Sequence, residues 1–373
     1  RSPSRGLGDV YKRQGYNMDV VIIGAGLSGL AAAVTLQEAG ISVQVLEADA
    51  QIGGRIRSVR DGAGTQAVAD LGPTWVWPKY QPVVARWLSK LDIKTFDQFN
   101  EGNAVITGYG PEPFYQPLPG QDGMVRIVGG PTTLIDTLAE RLGSSNIRTG
   151  AVVAELCEDG PERINIRLDS GEMITAQRVI VAAPLRVVAT TIRMPWAPPS
   201  LIKAMQETPT WMSSHAKAVV IYDRPFWRDA GLSGRIASQT GPLVEVHDHT
   251  CAEMTPGALF GFVGWSPKQR QSSPGQLRQE ILAQLSDCFG KAAAKPLELV
   301  IQDWATNPRI VTELDLAQSV NHPEVGPNNL REKYLDGRVQ FAVSEVSERS
   351  PGLIEGALAI GESTAFYFLE TVV

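Results

Sequence analysis

The sequence lacks features that mark several classes of protein. No run of roughly 18 or more apolar residues occurs, which argues against a membrane-spanning helix or anchor. The formal net charge is −6 and no long Lys/Arg run is present, so nucleic acid is not expected as a partner. Three cysteines and four histidines occur among 373 residues, without the spacing of a metal site. We therefore expect a soluble, cytoplasmic protein without a metal ion.

The beginning of the chain has a different composition from the rest. The first residues, RSPSRGLGDVYKRQ, are basic and Gly/Ser-rich and lack the apolar core of a secretory signal. We expect residues 1–17 to be a non-native or disordered leader, with a flexible basic arm or a transit peptide as the alternatives. The remaining chain is long enough for two domains with sizeable cores.

The most informative segment is residues 19–55, DVVIIGAGLSGLAAAVTLQEAGISVQVLEADAQIGGR. It opens with a short β-branched run that is typical of a buried parallel strand. Gly24, Gly26 and Gly29 follow in the G-x-G-x-x-G spacing of a dinucleotide site. An Ala/Leu-rich helix predicted over Leu30–Ala39 would direct its unpaired N–H groups at the pyrophosphate.

An acidic residue and a second glycine motif complete this segment. The strand predicted over Ile41–Leu46 delivers Glu47, whose carboxylate can accept hydrogen bonds from both ribose hydroxyls and would repel the 2′-phosphate of NADP. Gly53, Gly54 and Arg55 follow after a short loop. The glycine spacing alone is weak evidence, but the full order of strand, turn, helix, strand and acid is specific for a dinucleotide.

The glycine–glycine–arginine motif after Glu47 resembles the flavin monoamine oxidase superfamily, which includes monoamine, polyamine and L-amino-acid oxidases and related desaturases. The resemblance continues to the end of the chain from Met18 onward. Similar segments are DLGPTWVWP at 70–78, HAKAVVIYDRPFWR at 215–228, QDW at 302–304, GRVQFAVSE at 337–345 and PGLIEGALAIGESTA at 351–365.

The resemblance implies a mixed α/β (α+β) fold. A Rossmann-type, two-dinucleotide-binding FAD domain is expected beside a smaller substrate domain of mixed sheet and helices. The FAD domain is expected to be discontinuous, over 18–79, 122–194 and 300–373, with the substrate domain over 80–121 and 195–299. Local patterns predict helices over 81–91, 132–141 and 274–289, a hairpin turn at 169–171, strands at 215–228 and 257–265, and a loop over 108–123.

The resemblance also implies which residues approach FAD. They are Gly24, Gly26, Leu27, Ser28, Gly29, Glu47, Ala48, Gly53, Gly54, Arg55, Gly72, Pro73, Thr74, Trp75, Val152, Trp304, Ser344, Glu345, Leu353 and Ile354. In the family, Val152 would bond the adenine through its main chain, Trp304 would pack beside the flavin, and the N–H of Ile354 would donate to the flavin C2 carbonyl. Glu313 stands where classical monoamine oxidases have the cysteine that links the flavin, so the FAD is expected to be non-covalent.

The substrate side departs from the family. Leu314 and Leu353 stand at the positions of two tyrosines that form an aromatic cage in the family, so a classical monoamine is less expected as the substrate. The insertion between about Tyr80 and Asp122 is short, so a small lid is expected. The predicted substrate residues are Trp75, Trp77, Trp265, Leu314 and Leu353, and the three tryptophans are equally compatible with core packing.

A lysine that holds a water near flavin N5 is usual in the family. Lys268 lies near that position with an offset of one residue, while Lys217 lies in a strand that aligns better. We assign the catalytic role to Lys268, with a solvated surface lysine as the alternative.

The predicted function is that of an FAD-dependent oxidoreductase. A small-molecule amine would lose a hydride to flavin N5, with O₂ as acceptor and H₂O₂ as product. The alternatives are an FAD-dependent desaturase or dehydrogenase on an apolar substrate, and a catalytically silent FAD-binding protein. The oligomeric state is left open.

Overall fold

The computed structural model describes residues 17–318 and 321–371, so the predicted leader lies outside the described residues except for Asn17. The strands, in chain order, are β1 (Asn17–Ile23), β2 (Val43–Leu46), β3 (Ser58–Arg60), β4 (Ala67–Asp70), β5 (Trp75–Val76), β6 (Thr95–Asp97), β7 (Asn103–Thr107), β8 (Phe114–Gln116), β9 (Val125–Ile127), β10 (Ile147–Arg148), β11 (Val153–Asp159), β12 (Arg163–Leu168), β13 (Met173–Val181), β14 (Ala216–Tyr222), β15 (Leu232–Ser238), β16 (Leu243–Asp248), β17 (Gly257–Val263), β18 (Glu298–Asp303) and β19 (Val339–Phe341).

The α-helices lie mainly on the two faces of the first sheet and on one face of the second. They are α1 (Leu27–Glu38), α2 (Pro82–Lys90), α3 (Thr132–Leu142), α4 (Leu185–Thr191), α5 (Pro199–Glu207), α6 (Phe226–Asp229), α7 (Pro267–Ser272), α8 (Pro274–Phe289), α9 (Glu313–Ala317) and α10 (Ile354–Thr371). Short 3₁₀ turns follow β18 at Trp304–Thr306 and β19 at Ser344–Val346.

The first sheet is the dinucleotide-binding sheet predicted from the glycine motif. Its order is β10–β2–β1–β13–β12–β11, and β19 pairs with the end of β13. The strands β10, β2, β1, β13 and β19 are parallel, and β12 and β11 extend the sheet antiparallel. Ile22 packs with α1, α3 and α10 on one face, and Val21 packs against the α4–α5 side on the other. Burial on both faces explains the continuous apolar run of β1.

The second sheet has the order β18–β14–β17–β16–β15–β7–β8. Every residue of β14 is buried. Val220 packs towards α8, while Val219 and Phe260 pack on the opposite face against Leu71, which lines the cavity described below. Of the strand predicted over 215–228, only the β14 part forms. Both faces of β14 are buried, because α8 covers one face and the β4 segment covers the other.

Several local predictions are confirmed. The helices α2, α3 and α8 occupy the predicted segments, and the turn at 169–171 joins β12 to β13 in an antiparallel pair. The predicted loop at 108–123 is wrong, because it contains β8, which pairs with β7 at the edge of the second sheet. Trp87 of α2, in a segment predicted for the substrate domain, packs in the α1–α10 core, and β18, which extends into the segment predicted for the FAD domain, continues the second sheet as far as Asp303.

Within residues 17–318 and 321–371, none of the helices combines the length and the apolar character that crossing a membrane requires.

Candidate functional site

A cavity of about 390 Å³ lies between the two sheets. Its lining begins at Gly24 and Glu47, which follow β1 and β2, and reaches Lys217 of β14 and Phe260 of β17. Ligands of open parallel sheets bind outside the carboxyl ends of the strands, and the cavity lies at that position. Except for Gly29 and Glu345, every residue predicted to approach FAD lines this cavity.

Each glycine of the turn after β1 has its own steric role. A Cβ on Gly24 would lie 2.5 Å from the carbonyl oxygen of Ala182, and one on Gly29 would lie 2.1 Å from the oxygen of Gly24. A Cβ on Gly26 would project into open space, with no atom within 4 Å. Gly24 and Gly29 thus permit close packing of the strand and helix, which explains why Gly29 does not line the cavity, and Gly26 leaves a space that a pyrophosphate can occupy.

Glu47 is held in place by main-chain donors. Its two carboxylate oxygens accept hydrogen bonds from the N–H groups of Ala25 and Asp49, each at 2.8 Å. Burial raises the pKa of Glu47 despite these hydrogen bonds. Each carboxylate oxygen retains a second lone pair, so the side chain remains able to accept the ribose hydroxyls that the sequence predicts.

The glycine–glycine–arginine motif packs directly on the glycine turn. The N–H of Gly53 donates to the oxygen of Ala25 at 2.8 Å, and the Arg55 guanidinium donates to both carboxylate oxygens of Glu345 at 2.6 and 3.0 Å. Burial opposes ionisation of Glu345, but Arg55 and the N–H of Trp211 outweigh it and lower the pKa of this carboxyl. Glu345 lies behind the cavity wall and positions Arg55, so its predicted contact with FAD does not follow from this arrangement.

The residues expected around the flavin ring come from distant parts of the chain. The Trp304 indole N–H donates to the oxygen of Leu71 at 3.2 Å, and the Arg57 guanidinium lies 5.9 Å from the centre of the Trp304 ring. Leu353 and Ile354 line the cavity at the first turn of α10. This helix N-terminus supplies N–H groups and a positive dipole end towards the cavity.

Aromatic side chains form the opposite wall. Trp75, Trp77, Phe260 and Phe262 line the cavity. The Trp75 indole N–H donates to the side-chain oxygen of Gln98 at 2.7 Å, and its ring centre lies 5.3 Å from that of Phe260. Trp75 and Trp77 thus line the cavity, their contact with substrate stays a prediction, and the two phenylalanines extend the wall along β17.

Lys217 is a buried amine in this wall. Its Nζ donates to the oxygen of Gly72 at 2.8 Å and to Oγ1 of Thr74 at 2.6 Å, and it lies 4.1 Å from the centre of the Phe260 ring. Burial lowers the pKa of Lys217 to about 7, against the attraction of Asp70. Near neutral pH, a substantial fraction of this lysine is therefore an uncharged amine.

The structure corrects the assignment of Lys268. Lys268 is exposed on α7, outside the cavity lining, because the capping box of Ser266 and Gln269 starts a helix directly after β17 and turns the chain away. Lys217, on the better-aligned strand, is the lysine that the fold brings to the cavity. Trp265, which was also predicted to contact substrate, packs instead against the core beneath α8.

The structure also corrects the assignment of Leu314. Leu314 is exposed on α9 because its neighbour Asp315 points inward, where its carboxylate accepts from Arg186 at 2.8 Å and from the Thr312 hydroxyl at 3.0 Å. Adjacent residues on a helix cannot share one face. Ile310, in the turn that precedes α9, lines the cavity, whereas Leu314 does not.

Several cavity residues escaped sequence reasoning. They are Gln51, Arg57, Val187, Ile192, Trp211, Met212, His215, Phe260, Phe262, Asn307, Arg309 and Ile310. The two phenylalanines carried a signal, since they alternate along β17. Val187 lies in α4, and the others lie in turns and connecting segments whose direction no periodicity reveals.

The described ranges contain no group of three or more His, Cys, Asp or Glu side chains placed to hold a metal ion. The three cysteines, Cys157, Cys251 and Cys288, are free thiols and lie outside the cavity lining.

Comparisons with known proteins agree with this geometry. The family model described as flavin containing amine oxidoreductase matches residues 27–118 and 112–366. A probable flavin-containing monoamine oxidase A of Dictyostelium discoideum is 22% identical over 449 aligned positions, which cover 92% of this chain and 95% of the relative. Because 449 exceeds the 373 residues here, that relative has stretches without a counterpart in this chain.

Two further proteins extend the comparison. An L-amino acid dehydrogenase of Synechocystis sp. is 25% identical over 251 positions, which cover 64% of this chain and 49% of the relative. The cyclohexylamine oxidase of Brevibacterium oxydans IH-35A has a TM-score of 0.78 at 19% identity, with coverage of 95% of this chain and 99% of the neighbour. At that identity, the structural likeness establishes the shared fold.

The cofactor and the enzyme class follow from these findings. The open space at Gly26, the lone pairs of Glu47 and the helix N-termini at both ends of the cavity fit FAD, and no cysteine lines the cavity in the described chain. The protein is an oxidoreductase with non-covalently bound FAD as its cofactor. The chain belongs to the family of flavin containing amine oxidoreductases.

Proposed function

We propose that this protein oxidises a small-molecule amine by hydride transfer to N5 of FAD, with O₂ as acceptor and H₂O₂ as product. The observation that carries the proposal is the continuity of one cavity. Its lining passes from the dinucleotide turn at Gly26 to an aromatic wall at Phe260, with a buried amine, Lys217, between the sheets. A substrate on that wall would lie in the same space as the flavin end of the cofactor.

The chain's own residues account for placement and for the exclusion of water. FAD, when bound, supplies the two-electron acceptor. Trp75, Phe260 and Phe262 form an apolar wall that keeps water away from the reacting carbon. Trp304 is fixed through its hydrogen bond to Leu71 and can hold one face of the cofactor ring.

Lys217 has the position and the protonation state for a polar role in this reaction. An amine donates a hydride only when its nitrogen lone pair is free, so an ammonium substrate must lose a proton first. A neutral Lys217 does not repel the ammonium form, and it can accept a proton directly or through one water. We assign to Lys217 the catalytic role that the sequence analysis gave to Lys268.

A second candidate is a desaturase or dehydrogenase that acts on an apolar substrate. Leu353 favours it, because this leucine lines the cavity where the resemblance predicts a cage tyrosine. The relative from Synechocystis is named a dehydrogenase, which makes an acceptor other than O₂ a definite alternative.

The test is anaerobic reduction of the purified protein after reconstitution with FAD. Candidate amines are mixed with the oxidised holoenzyme, and loss of the flavin absorbance is followed before O₂ is admitted and H₂O₂ is measured. Reduction by amines with stoichiometric H₂O₂ supports the proposal. Reduction without H₂O₂ points to the dehydrogenase, and photoreducible flavin that no substrate reduces points to a silent FAD-binding protein.

A further inference from the structure

The charges around the cavity are unevenly distributed. Among the described residues, the only carboxylates in the lining are Glu47 and Asp49, both at the adenosine end. The cations in the lining are Arg55, Arg57, Lys217 and Arg309. An amine that enters the flavin end as an ammonium therefore meets no carboxylate in the part of the lining that the structure describes.

Two of these four side chains are paired with carboxylates, and a third, Lys217, has a lowered pKa. Arg55 is neutralised by Glu345 at 2.6 Å, and Arg57 by Asp49, also at 2.6 Å. Lys217 donates to two neutral oxygens, and burial lowers its pKa to about 7. Other residues of the chain therefore already accept hydrogen bonds from these three side chains.

Arg309 differs from the other three. It is half-buried in the cavity wall, and no carboxylate or carbonyl among the described residues accepts a hydrogen bond from its guanidinium. Its main-chain N–H donates to Oδ1 of Asn307 at 2.9 Å, which closes a turn directly after the Trp304 segment. A half-buried guanidinium without an acidic partner is a site for an anion, because its five donors match carboxylate geometry.

Two polar groups adjoin this arginine. Asn307 also lines the cavity, and its side-chain oxygen accepts the hydrogen bond from the main-chain N–H of Arg309. The side-chain NH₂ of Asn307 remains available as a donor. The Nδ1 atom of His215 is buried without a partner, and His215 is joined to the same segment through the hydrogen bond from the N–H of Trp304 to its carbonyl oxygen at 3.0 Å. Cation, amide and imidazole together form a polar corner in an otherwise apolar wall.

We propose that Arg309 binds a carboxylate of the substrate, so that the amine oxidised by this protein is an amino acid or another amine that carries an acid group. The inference rests on the proposed amine oxidation and names its substrate class. The apolar wall of Phe260 and Phe262 would receive the hydrocarbon part of such a substrate. The absence of a cage tyrosine at Leu353 fits a substrate that is oriented through its acid group instead of its ammonium.

Oxidation of an amino acid at this site would yield a 2-oxo acid, ammonia and H₂O₂. The carbon that bears the amine gives up a hydride, which carries two electrons, to the oxidised flavin, and the nitrogen lone pair forms the C=N bond. The nitrogen releases its extra proton, and water then hydrolyses the imine to a 2-oxo acid and ammonia. O₂ reoxidises the cofactor and becomes H₂O₂.

The test compares matched pairs of compounds on the FAD-loaded protein. Leucine is paired with 3-methylbutylamine and phenylalanine with 2-phenylethylamine, because the members of each pair differ only in the carboxylate. We expect anaerobic flavin reduction to favour the amino acid, and Arg309→Met to lower that preference about 30-fold or more, since a half-buried charge-assisted pair with the substrate is lost. Arg309→Lys should restore part of the preference, and Arg163→Met, on an exposed arginine outside this cavity, should leave it unchanged.

A binding measurement separates failure of this inference from failure of the proposed function. Binding of 3-methylbutanoate, which cannot be oxidised at nitrogen, is titrated through the flavin spectrum, and FAD affinity is measured for each variant. Carboxylate binding that Arg309→Met weakens supports the inference even if no amine reduces the flavin. Equal carboxylate binding by both proteins, preference for the plain amines, or a loss confined to FAD affinity would each overturn it.

Discussion

The two ends of the cavity are built in different ways. At the dinucleotide end, Gly24, Gly26 and Glu47 lie within one short segment, and α1 begins directly after Gly26 with its main-chain N–H groups. At the substrate end, the wall combines side chains from β14, β17 and the turn after Trp304, which are far apart in sequence. The first end depends on local backbone geometry, and the second depends on how distant segments pack.

This difference affects how each end tolerates change. A main-chain surface survives most substitutions except those that add atoms at a glycine, because the binding groups are backbone N–H donors. A side-chain surface shifts whenever its supporting contacts shift. Asp315 is the clearest support at the substrate end, since its carboxylate accepts from Arg186, Thr312 and the N–H of Thr210 beside Trp211.

The largest effect is expected for Asp315→Ala. The ion pair with Arg186 is buried, with 2% and 0% of the two side chains exposed, and removal of one partner leaves an uncompensated charge that costs about 3–5 kcal/mol. Thermal unfolding of the FAD-loaded protein should show the loss. Glu313→Ala, on an exposed face of the same helix, should change stability by less than about 0.5 kcal/mol. Equal stability of the two variants would show that Asp315 does not support this wall.

Gly26→Val tests the dinucleotide end. The backbone at Gly26 has φ −75° and ψ 178°, which valine adopts without strain, and the added atoms enter the open space expected to hold the pyrophosphate. FAD affinity should fall about 100-fold, or roughly 2.7 kcal/mol, while the stability of the FAD-free protein stays near that of the parent. Gly62→Val, another glycine with open space around it, is the matched control. Unchanged FAD affinity in Gly26→Val would contradict the placement of the cofactor.

Lys217→Met tests the polar group at the substrate end. Flavin reduction should increase with pH through about 7 in the parent, as Lys217 becomes neutral, and this step should be absent in the variant, with a rate about 10-fold to 100-fold lower. Rapid-mixing absorbance measurements over the pH range give both quantities. Lys268→Met is the control and should retain the parent profile, because Lys268 is exposed outside the cavity.

The stability of Lys217→Met provides an independent readout. The pKa of Lys217 is about 7 in the folded chain and lies near 10.5 without the fold, so between these values the unfolded chain binds a proton that the folded chain lacks. Stability of the parent relative to the variant should therefore increase with pH across that window. A difference in stability that stays constant with pH would place Lys217 outside a desolvated site.

The smallest effect is expected for Glu47→Gln. The substitution removes the charge and one acceptor, so FAD affinity should fall about 10-fold, as the loss of one charge-assisted hydrogen bond predicts. Burial raises the pKa of Glu47, and FAD affinity of the parent should therefore weaken as acidification protonates the carboxylate, whereas the variant should lack this dependence. Titration with FAD at several pH values measures both, and Glu38→Gln on the exposed end of α1 is the control.

Local patterns were sufficient for most of the dinucleotide end. The spacing of Gly24, Gly26 and Gly29 encodes a turn formed by consecutive residues, and Glu47 follows at the end of the next strand. Long amphipathic helices such as α8 were equally clear, because their apolar residues repeat with the helical period. The edge strand β8 was missed, since it is short, exposed and rich in turn-forming neighbours.

The substrate end shows what local pattern does not encode. Counting along the chain placed Leu314 and Lys268 near the flavin, but the buried pair of Asp315 and Arg186 turns Leu314 outward, and the helix that starts at Pro267 removes Lys268. Lys217 became the candidate because both faces of β14 are covered, which no alternation in its sequence reveals. The positions of Leu314 and Lys217 depend on contacts between distant segments, whereas Lys268 is removed by a helix that begins at a local capping box.

The sequence by itself determined the family, the FAD cofactor and the dinucleotide end, because these depend on backbone turns formed by consecutive residues. The tertiary structure decided which lysine faces the cavity, which aromatic residues form its wall, and that Arg309 lies there without an acidic partner among the described residues. The physical reason is that side-chain direction in turns and burial on both faces of a strand are set by packing against distant elements. The dinucleotide end of the cavity therefore has a largely local origin, and the substrate end has a tertiary one.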